Sequence, residues 1–429
     1  MKKSIFIISI LLVQVGIGQI RACLSAYMDS MRRLENPGLG TVKDFENWMN
    51  KKKVRTSSRS QAIRYRIPVV VHVVYNGEPV GVGPNLSYEQ IVSQIEVLNE
   101  DFMRMPGTNG FNDNPNGADT EIEFYLAELD PSGSLLDEPG VDRVDGGRNE
   151  WPQGIFQNPI ESQLKPNTIW DPEQYFNIWT VNFGGFFGRN LLGYAQFPDM
   201  SGLEGLDEDE GSAETDGVVI GYKYFGSSEK GNFPDLFSPF DLGRTTTHEV
   251  GHWLGLRHIW GDENGCLGDD FVEDTPLVGE ATNGCPNVLF SCGFESMFEN
   301  YMDYTDDRCM NIFTEGQKER MITVLENSPR RTELVEVVLS VENNEKDVLL
   351  YPNPARKELN VELGATSDFH ALKIIAASGK EITSVQPNPS NHGVYKFNIE
   401  FLKSGVYFLQ ASYLSEPSKG IFLKFIKTP

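Results

Sequence analysis

One stretch constrains the fold more than any other: His248-Glu249-Val250-Gly251-His252-Trp253-Leu254-Gly255-Leu256-Arg257-His258. Histidines four residues apart project from one face of a helix, so His248 and His252 meet only if this segment is helical. Glu249 lies beside them, close enough to reach a water on the same ion. Gly255 can leave helical geometry without a Cβ penalty. The chain is therefore expected to break there and swing His258 round as a third imidazole. Three neutral imidazoles with one open position suit catalytic Zn²⁺. Such an ion lowers the pKa of a bound water towards ~7 and polarises a carbonyl. Glu249 is then placed to take the water's proton and pass it to a leaving amine. A lone histidine on an apolar helix face is usually a packed core residue. Here three of the chain's six histidines fall in this one stretch, with glycine where the turn needs it.

The stretch resembles the long zinc motif of the metzincin metallopeptidases. Downstream, Glu299-Asn300-Tyr301-Met302-Asp303-Tyr304 resembles the Met-turn of that family. The resemblance implies that Met302 is a packing floor under the metal site and that Tyr304 hydrogen-bonds the tetrahedral intermediate. Within metzincins, residues from roughly 60 to 335 look like the pappalysin family. That likeness implies an α+β domain: a twisted sheet, an active-site helix, a backing helix and a loop-rich C-terminal subdomain.

Five cysteines occur, and Cys266, Cys285, Cys292 and Cys309 cluster after the zinc motif. In an exported protein such a set forms two disulfides, in any of three pairings. A structural zinc site is the rival, against which their wide, irregular spacing argues. The pappalysin resemblance favours Cys266–Cys292 and Cys285–Cys309. Cys23 is left over, in Arg21-Ala22-Cys23, and a thiolate is a strong Zn²⁺ ligand. The pattern resembles the cysteine switch of metzincin pro-segments, with Cys23 on the metal in the latent form. A lipid-modified cysteine is the alternative, although Arg21 fits that signal badly.

The formal charge of −24 and a pI near 4.7 argue against nucleic acid and anionic membranes as partners. Protein or peptide substrates are expected instead. Met1-Lys2-Lys3 and the apolar run Ile5 to Val15 read as a signal peptide over 1–18, too short to span. No other run reaches the ~18 apolar residues of a transmembrane helix. Residues 19–58 read as a pro-segment, ending in the basic, exposed linker Lys51 to Arg59. The acidic run Asp207 to Glu210 reads as a solvated loop.

The catalytic domain is expected over 59–340. Arg64 to Tyr75 is a β-branched run typical of a buried strand, and His72 within it reads as structural. Ser87 and Gln90 form a capping box before Ile91, Ile95, Leu98 and Phe102 at helical spacing. Strands follow at 121–126, 175–182 and 217–224. Leu192 to Phe197 reads as an edge strand; by resemblance it pairs with extended substrate. Asp269, Asp270, Asp274 and Thr275 offer hard oxygens suited to Ca²⁺, which pappalysin-like enzymes carry near this point. Thr314 and Gln317 cap a last helix running to about Asn327. Arg308 stands just before Cys309, where the family often has an S1′ aspartate. A buried guanidinium there is expected to disfavour basic P1′ residues.

After about residue 342 the pattern changes to short alternating strands, including Leu359-Val361-Leu363, which suggests a small β-sandwich over 345–429. Tyr351-Pro352-Asn353-Pro354, Gly379-Lys380, Gly405-Val406-Tyr407-Phe408 and the basic end Lys424 to Lys427 resemble the sorting domain of type IX secretion. That implies the secretion machinery as a partner and a secreted or surface-attached product. A carbohydrate- or protein-binding module is the alternative for this domain. The whole reads as a secreted zinc endopeptidase made as a zymogen; the alternative is a non-catalytic adhesin on a protease-like scaffold.

Overall fold

The computed structural model describes residues 22–53, 62–153, 158–188, 190–200, 213–263, 265–340, 348–351, 355–363, 369–376, 381–385, 394–403, 405–413 and 420–427. The expected signal peptide, most of the basic linker, the acidic run at 207–210, Pro352 to Pro354 and Gly379-Lys380 lie outside these residues.

Strand β2 (Ala62–Tyr75) organises the first of two compact units, which runs to Val338. It pairs in parallel with β3 (Ile122–Leu126), β4 (Val141–Asp145) and β5 (Phe176–Val181). Beyond β5 come β7 (Val218–Gly221), in parallel, and β6 (Leu191–Ala195), antiparallel to β7. Strand β1 (Ala22–Cys23) adds to β6 in parallel, and β8 (Glu336–Ser340) flanks β2. A parallel strand covered on both faces reads as a continuous hydrophobic run. β2 fits that rule: Val69, Val71 and Val73 pack towards Ile91, Leu98 and Phe102, and Val74 packs with Trp179 and Val219 on the other side. His72 is structural, as expected. Its ring nitrogens meet Asp142 at 2.8 Å and Asn177 at 2.9 Å, and its ring stacks on Trp179.

Helix α3 (Tyr88–Phe102) begins where the spacing predicts, and the Ser87 hydroxyl accepts from the Gln90 amide. The capping box stays half-made, because the Gln90 side chain donates instead to the Phe225 carbonyl at 2.8 Å. The Thr314–Gln317 box is complete and opens a helix over Glu315–Asn327. Residues 22–53, for which the sequence predicts no element, hold α1 (Ser25–Glu35) and α2 (Val42–Lys52), the latter opened by a Thr41–Asp44 capping box. Phe45, Trp48 and Met49, spaced as i, i+3, i+4, make one apolar face and pack with Val324. Lys51, Lys52 and Lys53 are exposed.

In the second unit, residues 339–429, the regular elements among the described residues are all strands. One sheet holds Val348–Tyr351, Glu358–Leu363 and Val394–Asn398; the other holds Glu381–Val385, Phe369–Ala376, Gly405–Tyr413 and Gly420–Lys427. Leu359, Val361, Leu372, Ile374, Phe397, Leu409 and Phe425 fill a core drawn from both sheets, as in a sandwich. Because that core is its own, residues 339–429 produced alone are expected to unfold in one cooperative thermal transition. A broad, non-cooperative melt would contradict this.

Candidate metal centre and active site

The helix that carries the motif, α4 (Arg244–Trp253), is fully buried, and both of its ends are held from outside. At its start the Asp307 carboxylate accepts the Leu242 and Arg244 amides at 2.9 and 3.2 Å, as an N-terminal cap supplied by a distant loop. Asp101, on α3, pairs with Arg244 at 3.2 Å and accepts from Thr247 at 2.7 Å. Burial pushes the Asp101 carboxyl up to about 6 against the pull of Arg244. At the other end Gly255 takes φ +88°, and a Cβ there would lie 2.9 Å from Val324. The chain breaks at this glycine, as the motif requires, and returns His258 to the helix face.

The three imidazoles converge. His258 Nε2 lies 3.2 Å from His248 Nε2 and 3.1 Å from His252 Nε2. Each Nδ1 is committed elsewhere: His248 to the Tyr301 carbonyl at 2.7 Å, His252 to the Leu256 carbonyl at 2.8 Å, His258 to the Asp262 carboxylate at 2.5 Å. A carbonyl only accepts, so Nδ1 of His248 and His252 carries the proton and Nε2 a bare lone pair. Burial and the neighbouring His258 hold His252 well below the ordinary histidine range, hence neutral. His258 Nδ1 faces the Asp262 carboxylate in the same way, which leaves all three Nε2 atoms turned to one point as metal ligands are. Tetrahedral ligands at ~2.0–2.1 Å would be about 3.3 Å apart, so the donor set fits a metal with slight outward movement.

Cys23 completes the set. Its sulfur and the three imidazole nitrogens all lie within 4.8 Å of one another, the one such group among the described residues. Burial and the Glu249 charge push the Cys23 thiol well above its ordinary range, so the thiolate needs a cation beside it. The sulfur is 3.3 Å from Glu249, and Ser25 donates to the same carboxylate oxygen at 2.7 Å. The Ser25 hydroxyl also accepts the Ala195 amide at 2.8 Å. Cys23 aligns with Gly193 of β6, so the N-terminal segment occupies the edge of the sheet, the metal position and Glu249 together.

Met302 is buried beneath α4. A Cβ on Gly251 would lie 2.5 Å from the Met302 sulfur, so the helix can pass over the sulfur only with glycine at that position. A glycine inside a helix costs ~1 kcal/mol against alanine and implies a packing reason; that was the signal available in the sequence. Tyr304 stands edge-on to His258 at 4.9 Å between centroids, and its hydroxyl is 3.4 Å from the Cys23 carbonyl. Trp260 stacks on His258 at 4.3 Å. Trp260, Asp262, Ser25 and Gly193 were not singled out in the sequence. Gly193 lies against the active site: a Cβ there would be 3.0 Å from Glu249 Cγ.

Both disulfides have the pairing that the resemblance favoured, Cys266–Cys292 and Cys285–Cys309. One expectation needs correction. Arg308 is not a buried pocket wall: its side chain is 69% exposed, with Asp306 3.8 Å away. A single 3₁₀ turn over Asp307–Cys309 turns Asp307 inward to cap α4 and leaves Arg308 in solvent. The oxygens read for calcium are engaged within the chain. Thr275 donates to Asp270 at 2.8 Å, while Asp274 accepts from Thr314 at 2.6 Å and Gly316 at 2.9 Å, capping the last helix.

Residues 160–326 match the family model described as pregnancy-associated plasma protein-A, and residues 349–424 match the secretion system C-terminal sorting domain. An extracellular metalloprotease of Verticillium alfalfae is 32% identical over 261 residues, covering 59% of this chain and 74% of its own length. One of Pyricularia oryzae is 32% identical over 259 residues, covering 59% and 73%. Among solved structures, Tannerella forsythia mature mirolysin with a cleaved peptide is 42% identical, with a TM-score of 0.52 over 63% of this chain and 95% of that one. A Tannerella forsythia promirolysin mutant is 38% identical, with a TM-score of 0.58 over 73% and 97%.

Asp262 fixes the orientation of His258, and loss of such a partner typically weakens metal binding ~10–100-fold. Asp262→Ala is expected to show that loss in competition with a chromogenic chelator; unchanged affinity would contradict the assignment. Gly251→Ala is expected to lower stability by ~1–3 kcal/mol through overpacking against Met302, read by thermal unfolding.

Proposed function

The chain belongs to the pappalysin family of metallopeptidases, and from that premise we propose a division of labour among its residues. His248, His252 and His258 hold zinc, the ion that three neutral imidazoles and an open position fit best. When bound, zinc lowers the pKa of a water and polarises the scissile carbonyl. Glu249, adjacent to His248 on the helix, takes a proton from that water and delivers it to the leaving amine. The Tyr304 hydroxyl, on the metal side of the cleft beside His258, donates to the developing oxyanion. An extended polypeptide pairs with the backbone of β6, the strand that β1 covers in this structure. Backbone pairing of this kind makes few demands on sequence and suits an endopeptidase.

Latency follows from the same geometry. The observation that carries the reading is the position of Cys23: one residue brings its sulfur to the three imidazoles and its backbone to the substrate strand. Ser25 adds a hydrogen bond to Glu249 at 2.7 Å, so the base is engaged as well as the metal. Placement among the imidazoles favours a ligand role for Cys23 over lipid attachment. Residues 19–58 act as a pro-segment, and cleavage in the basic linker after α2 frees the cleft. The sandwich at 345–429 serves as the sorting signal that carries the protein out of the cell. An adhesin has no use for a metal-binding triad with an adjacent general base, and family membership answers that alternative.

Matured Glu249→Ala protein is expected to retain its metal and to lose hydrolysis of casein by ~10²–10⁴-fold, the range for a lost general base. Equal activity of wild type and variant would remove Glu249 from the mechanism. The uncleaved Cys23→Ala chain is expected to hydrolyse casein before its pro-segment is cut; full latency would show that Cys23 is not the lock.

A further inference from the structure

The pro-segment makes a second charged contact away from the metal. Glu46, on α2, is buried and receives two guanidinium groups. Arg320 closes on it with both terminal nitrogens, each 2.6 Å from a carboxylate oxygen, and Arg257 donates Nε at 3.2 Å. Arg320 and Arg257 are themselves buried. Two such buried cations side by side need an anion, and the Glu46 carboxylate supplies it.

The two guanidiniums are held by the catalytic part of the chain, not by Glu46 alone. Arg320 Nε donates to the Gly255 carbonyl at 2.7 Å, at the turn that returns His258 to the metal. The Arg257 guanidinium lies over the Phe197 ring at 5.2 Å. Phe197 follows the substrate strand by two residues, and its other neighbour is the His252 ring, 5.2 Å away. Arg257 also keeps one buried nitrogen, Nη2, without a hydrogen-bond partner. The fork therefore stands at the end of the cleft, oriented in advance and with a donor to spare. Three other carboxylates act on it. Asp29 is on α1 and leaves with the pro-segment. Asp262 and Asp270 stay, but Asp262 is engaged by His258, and Asp270 by Thr275 and the Val272 amide.

We propose that Arg257 and Arg320 form a carboxylate-binding site of the matured protease, filled by Glu46 in the latent chain and by an acidic side chain of a bound polypeptide afterwards. The proposal rests on the zymogen reading, since it needs residues 22–53 to leave. Bidentate pairing of a guanidinium with a carboxylate gives the site its preference for Asp or Glu over their amides. In the latent chain the same pairing anchors α2 next to the metal turn.

The test uses the full chain after proteolytic maturation. Its probe is a fluorescent peptide of residues 41–53, compared with the same peptide carrying Glu46→Gln. Wild-type enzyme is expected to bind the Glu46 peptide at least ~10-fold more tightly, a difference that shrinks in Arg320→Gln and Arg257→Gln enzymes of equal metal content. In parallel, cleavage-site profiling of a peptide library is compared between wild type and these variants. Enrichment of Asp or Glu at a fixed distance from the cut, lost in the variants, identifies substrate as the source of the carboxylate. Discrimination by the peptide without such enrichment identifies the released pro-segment as the occupant and overturns the substrate role. Equal binding of the two peptides together with no acidic preference overturns the site. The peptide comparison needs no protein variant, so a misfolded variant leaves it decisive. Latency is read separately, from the onset of casein hydrolysis on maturation; a chain equally active before cleavage overturns the zymogen reading on which the proposal depends.

Discussion

The convergence of three imidazole nitrogens on one point is the constraint that the rest of the catalytic unit serves. Two buried ring nitrogens lie 3.1–3.2 Å from a third, and each ring has its Nδ1 engaged elsewhere, the arrangement of ligands around a single cation. Almost every unusual residue nearby answers that demand. Gly255 permits the turn, Gly251 lets the helix sit on Met302, and the Tyr301 and Leu256 carbonyls and the Asp262 carboxylate aim the rings. Asp307 and Asp101 hold the start of the helix from the outside. The sheet beneath supplies a rigid platform, with β2 buried on both faces.

The N-terminal segment meets the same convergence. Its Cys23 sulfur lies beside the imidazole nitrogens, its Ser25 hydroxyl donates to Glu249, and β1 runs along the edge of β6. Each of these contacts competes with one that a substrate and its water would make. Latency in this account is occupation of the cleft and not distortion of it, because the imidazoles, the base and Tyr304 already stand around the metal position.

Much of this was legible in the sequence because the metal chemistry has a strict spacing. Two histidines four apart, a glycine and a third histidine specify a helix, its end and a ligand, and the structure has all three. The β-branched run at 64–75 and the alternation at 359–363 were equally direct, since burial on two faces and on one leave different patterns. What stayed hidden depends on contacts between distant segments. Asp262 reads as one more acid in an acidic loop until His258 is seen against it. Glu46 reads as one charge on a polar helix until Arg257 and Arg320 close on it. Arg308 misled because position beside Cys309 does not fix direction: within one 3₁₀ turn, neighbouring residues point inward and outward. The oxygens read for calcium make a related point, since carboxylates that look free in a sequence are also the natural caps of helices and turns.

The most direct measurement is zinc K-edge X-ray absorption on the purified chain before and after removal of its pro-segment. The account predicts three nitrogen scatterers at ~2.0–2.1 Å and one sulfur at ~2.3 Å in the latent chain, with the sulfur lost and replaced by oxygen on maturation. A latent chain whose zinc shows no sulfur neighbour, or a matured one that keeps it, would contradict the account.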